Sequence, residues 1–169
     1  MEVQATWKVC PHCTAPQSVE NSTQSTDMSL RDSVIGGDVT INQNNPEEMA
    51  TAMVSVLDRL GFSAQGQPVS LNEAQQDEIR EVLEVSDSLE QQGIHLNTEI
   101  EMTLAKASQT VDDHDNTRKH YTRALAFATQ TNDFEMIAGA NIGLSNLSIR
   151  LGYGEEALKY TRASLDAAK

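Results

Sequence analysis

The sequence predicts an all-α fold, antiparallel helical hairpins preceded by a flexible tail that carries a candidate short β-hairpin. Three observations point there. Residues 104–125 recur in altered form at 144–165. Helix-start and helix-stop residues punctuate the chain from Asn45 onward. The residues before Asn45 are too polar to join a core, because so little apolar surface cannot offset the entropy lost on ordering them.

Taken in order, residues 1–16 form a tail holding both cysteines, in the stretch WKVCPHCTAP. Residues 17–32, rich in Ser, Thr, Gln and Asn, predict a flexible linker. Residues 33–44 begin SVIGGDVTI. There Val34 and Ile35 can face Val39 and Ile41 across Gly36-Gly37, a dipeptide that accepts the positive φ of a tight turn. Two strands alone are marginal in water, so this hairpin needs a helix or a second copy to rest on.

Residues 45–93 predict two acidic amphipathic helices. The first has Asn45 as N-cap, Pro46 in the first helical position, Glu48 to complete a capping box and Gly61 as its stop. Met49, Met53, Val56, Leu57 and Leu60 make its buried face. After a spacer of Gly, Gln and Pro, Ser70 and Glu73 suggest a second capping box and Gly93 a second stop. Ile79, Val82, Leu83 and Leu89 form a narrow stripe between them, which predicts a peripheral helix resting on one neighbour.

Residues 94–169 carry the repeat. With a shift of 40, Leu104 falls on Leu144, Ser108 on Ser148 and Leu125 on Leu165, while Tyr121-Thr122-Arg123-Ala124 recurs at Tyr160-Thr161-Arg162-Ala163 with a shift of 39. Each unit has apolar positions at helical spacing on both sides of a polar or glycine break: Asp112-Asp113-His114-Asp115 in the first, Gly152-Tyr153-Gly154 in the second. The first unit uses Ile100, Leu104, Ala107, Val111, Tyr121, Ala124, Leu125 and Ala128. The second uses Phe134, Ile137, Leu144, Leu147, Leu151, Ala157, Leu158 and Leu165. Small residues at Ala105, Gly143, Ser145, Ala157 and Ala163 let neighbouring helices approach closely.

Over residues 97–169 this pattern resembles the tetratricopeptide repeat family, in its longer form of about 40 residues per repeat. The resemblance rests on Ala124-Leu125-Ala126-Phe127-Ala128 running to Asp133, and on Leu144, Gly152, Ala157 and Leu165. The chain departs from the family pattern at Thr117, Asp112, Ser145, Ser148 and Gly154. The resemblance implies a non-enzymatic adaptor with a concave surface, lined by the first helix of each unit, that holds a peptide or protein partner. In this chain that surface would present Met102, Lys106 and Gln109 from one unit and Ile142, Asn146 and Arg150 from the next. Lys106, Asn146 and Arg150 are of the type that grips a C-terminal carboxylate, but their positions do not reproduce that family set. Two repeats are fewer than the roughly three that bury a continuous core. The helices at 46–60 and 71–92 are therefore expected to cap them or to join two chains in a homodimer.

The charge excludes other classes. A formal net charge of −13 and few basic residues oppose nucleic-acid binding, which requires clustered Lys and Arg. Most of the acid lies in residues 46–93, where ten Asp and Glu face Arg59 and Arg80. No apolar run approaches the ~20 residues that span a bilayer, and the first residues lack a signal sequence, so a cytoplasmic protein without membrane contact is expected. His12, His95, His114 and His120 show no metal-ligand spacing, and neither phosphate-binding loop nor nucleophile motif is present. No enzymatic activity is expected.

Cys10-Pro11-His12-Cys13 looks like half of a zinc ribbon, in which a tight turn presents two thiolates to one metal. Zinc is the cofactor such a box implies, with Cys10 and Cys13 as ligands. The chain holds no further cysteine. Two chains could share one zinc, a partner could supply the other two ligands, or the box could be a relic. The first of these makes zinc-bridged homo-oligomerisation the alternative to the adaptor.

Overall fold

Residue 45 opens the first helix for a local reason. The Asn45 side chain accepts hydrogen bonds from the backbone N–H groups of Glu47 and Glu48, and Pro46 has no N–H to leave unpaired. The computed structural model describes residues 45–168 and, before them, the strands β1 (Ser33–Ile35) and β2 (Val39–Ile41). The strands pair antiparallel with Val34 opposite Thr40. Cys10, Cys13, the tail 1–16 and the linker 17–32 lie outside the described residues.

Six helices follow: α1 (Pro46–Arg59), α2 (Glu73–Gln91), α3 (Thr98–Thr110), α4 (His114–Thr131), α5 (Phe134–Arg150) and α6 (Gly154–Ala167). Among residues 45–168 there is no strand, so this body is all-helical. Gly61, Gly93 and Gly152 end α1, α2 and α5 with φ near +80°, the left-handed conformation that costs a glycine nothing. The cap of α2 differs from the sequence expectation. Asn72, not Ser70, is the N-cap, in a reciprocal box with Gln75. In the first helix the side-chain Nδ2 of Asn45 donates to Glu48 Oε1 at 2.7 Å, so Glu48 meets the cap side chain and not its backbone N–H as the expected box would have it.

Each helix packs on the next, and two apolar clusters result. The first joins α1, α2 and one face of α3 around Met53, Val56, Phe62, Ile79, Leu89 and Leu104, all 0–1% exposed. The second joins α3, α4 and α5 around Met102, Tyr121 and Leu144, with Ala105, Ala124, Ala128 and Ala140 admitting close approach. So α3 is buried on two sides. The α2 helix is less peripheral than its narrow stripe predicts. It also touches α3, and Asp87 and Glu90 pair with Lys119 and Arg123 of α4. Three positions expected in the hairpin cores, Phe134, Leu158 and Leu165, are instead 58–62% exposed. Helical spacing identifies an apolar face without showing that anything covers it.

Candidate functional site

The α3 and α5 helices lie side by side over α4, and between them opens a groove of about 490 Å³. From α3 come Met102, Lys106 and Gln109, spaced along one face; from α5 come Ile142 and Asn146. These are five of the six residues that the sequence singles out for a partner surface. The sixth, Arg150, lies outside the groove and pairs with Asp112 at the turn after α3.

The floor has a specific cause. Gly143 leaves the α5 backbone bare, and the Tyr121 ring of α4 occupies the space, so close that a Cβ at Gly143 would fall 2.3 Å from the ring. Burial pushes the Tyr121 phenol up to about 12, so it is protonated at neutral pH. Its hydroxyl donates to Gln109 Oε1 at 3.5 Å, a long bond, and both groups border the groove. Met102 and Met136 add flexible apolar surface.

One wall comes from the loop between α1 and α2, which the sequence suggests only as a spacer. Lys106 Nζ donates to the carbonyl of Ala64 at 2.5 Å and to that of Ser63 at 3.4 Å, holding Ala64, Gln65 and Gln67 beside the groove. Partial burial lowers the Lys106 pKa, and those carbonyls replace part of the ammonium's lost hydration. Lys106 therefore serves the loop. Phe62, 1% exposed within the first cluster, fixes the start of the same loop. Sequence reading also passes over Tyr121, Met136 and Gly139 as site residues. The spacing of Gly139 and Gly143 on α5 is the signal that could have revealed a bare helix face.

Chemically, the groove offers side-chain amides at Gln65, Gln67, Gln109 and Asn146 around an apolar floor. Each amide both donates and accepts, which suits the alternating N–H and C=O groups of a peptide backbone. Among the described residues no group of three or more His, Cys, Asp or Glu side chains is gathered as a metal site would require, and no helix is long and apolar enough to cross a membrane.

Compared with models of known families, with curated proteins and with solved structures, the chain matches none. Its functional reading rests on its own geometry.

Proposed function

We propose that this protein is a non-enzymatic interaction module, built from tetratricopeptide-like hairpins, that binds a peptide or protein segment in the groove between α3 and α5. One observation carries the reading: five of the six side chains that the family resemblance implies for a partner surface line a single groove with an apolar floor and amide walls.

Related contacts in the two units support the repeat. Ser108 bonds Thr117 across α3 and α4, and Ser148 bonds Glu156 across α5 and α6, at positions 39 to 40 apart. Asp112 and Gly152, 40 apart, both take left-handed backbone after their helices. Within the second pair, Ser145 meets Thr161 and Ser148 meets Glu156, so numbers rise on one helix as they fall on the other, as in an antiparallel hairpin.

The test is selection of peptides from a random displayed library on the full chain, followed by titration of the selected peptides. Binding is expected to weaken at least tenfold in the double variant Gln109→Ala/Asn146→Ala, each truncation removing hydrogen bonds worth about 1 kcal/mol. Failure to select any peptide, or selected peptides that bind the variant unchanged, would overturn the reading.

A further inference from the structure

The structure exposes one surface that the groove does not use. Among the described residues, and apart from Ile142, which borders the groove, five large apolar side chains on α5, α6 or the turn between them are more than half exposed, whereas the α1 face is buried. On α6 the inward positions Ala157 and Ser164 are buried. The outward stripe reads Glu155, Leu158, Arg162, Leu165, spaced by three and four so that all four share one side of the helix. Leu158 and Leu165 are 58% and 61% exposed, and Tyr153, at the start of the helix, is 55% exposed.

The charges on this stripe are arranged about an apolar centre. Glu155 stands three residues before Leu158 and Arg162 four after it, and neither has an ion-pair partner among the described residues. Opposite charges at near-equal distances on either side of one leucine suit a two-fold axis, because residue i of one copy then meets residue j of the other and the reverse.

We propose that α6 is a homodimer interface, in which a second copy of this chain packs antiparallel with the two-fold axis at Leu158. That crossing stacks Leu158 on the partner's Leu158 and sets Glu155 against the partner's Arg162 twice. It also brings Tyr153 towards the partner's Leu165. Rim charges of this kind fix register and orientation, and the apolar centre provides the affinity. The surface is distinct from the groove and does not depend on what the groove binds.

Sedimentation velocity of the full chain over a wide concentration range, with a metal chelator present, tests the proposal. A reversible dimer is expected. Leu158→Asp should be monomeric at every concentration with unchanged helical circular dichroism, since the side chain it replaces is exposed. Glu155→Arg and Arg162→Glu should each raise the dissociation constant about tenfold by turning two attractions into repulsions, and the two changes combined should restore it. A monomer throughout overturns the proposal. So does a dimer that Leu158→Asp leaves intact, a dimer seen only without chelator, or a combined variant no better than the single ones.

Discussion

His120 Nδ1 of α4 lies 2.7 Å from Glu101 Oε2 of α3, and both side chains are almost sealed from water, at 0% and 2% exposure. The two atoms share one hydrogen bond. Nε2, buried on the other side of the ring, has no partner among the described residues. Arg123 Nη1 stands 3.9 Å from the second Glu101 oxygen and also pairs with Glu90 of α2. The buried carboxylate thus ties α3 to α4, and Arg123 extends the link to α2 through Glu90. Removing one member of a buried pair strands the other, so Glu101→Ala should cost about 3 kcal/mol of folding stability. Glu101→Gln keeps a side chain that can either accept from Nδ1 or donate to it and should lose clearly less. Urea unfolding of both variants measures the difference; equal losses would mean that packing, not the hydrogen bond, accounts for the cost.

The close seat of Tyr121 on Gly143 makes a second expectation. Gly143→Ala forces a Cβ into the ring, and overpacking of this kind costs about 1–3 kcal/mol. In a Tyr121→Ala background the same methyl has room, so the substitution should cost little there. A double-mutant cycle of melting curves reads this coupling; purely additive losses would show that the ring does not set the cost.

The helices were legible because their ends are written in side-chain chemistry. Asn45-Pro46 and Gly61, Gly93 and Gly152 each act within a few residues, and every one functions at the end where the sequence puts it. The buried face of α1 was legible for the same reason, through its spacing. The groove was half legible. Helix periodicity puts Met102, Lys106 and Gln109 on one face, but the loop wall at Ala64 and Gln65 depends on a bond from Lys106 across more than forty residues. No local pattern carries that information. The burial of His120 was hidden likewise, since histidine on a helix face usually meets solvent and only Glu101 from another helix allows it inside. Exposure of Leu158 was unreadable because an apolar residue at core spacing looks the same whether or not a neighbour covers it.

Acid should act on the join between α4 and α6. Arg118 donates to both Glu156 oxygens, at 2.8 and 3.3 Å, and Ser148 donates to one of them at 3.0 Å. The Arg118 bonds, aided by Ser148, hold the Glu156 carboxyl below its usual range. A carboxyl whose folded pKa is depressed adds stability above its unfolded pKa and loses it as pH falls through the folded value. The wild-type chain should therefore lose stability more steeply than Glu156→Gln as pH drops from about 5 downward, by no more than about 1 kcal/mol for a pair this exposed. Urea midpoints at successive pH values check it; parallel profiles would remove Glu156 from the acid response.

The final prediction concerns the wall of the groove. Lys106 reaches from α3 to the carbonyls of Ser63 and Ala64, while the loop's other bonds are local, Ser63 N–H donating to the Gly66 carbonyl at 2.9 Å and Gly66 N–H to Ser63 Oγ at 2.9 Å. Lys106→Met retains the aliphatic stem and removes the donor. The α3 packing should survive, because Ala105 and Ala107 beside it are fully buried and unchanged. The local turn should also persist, now unanchored to the helix. Native-state hydrogen exchange ought then to accelerate at residues 63–67 while the amides of α3 keep their protection, since local opening is governed by local contacts. A peptide held by Gln65 or Gln67 should bind more weakly to this variant, and one held only by Gln109 and Asn146 should not. Unchanged exchange at 63–67 would show that the turn and the buried Phe62 position the loop without Lys106.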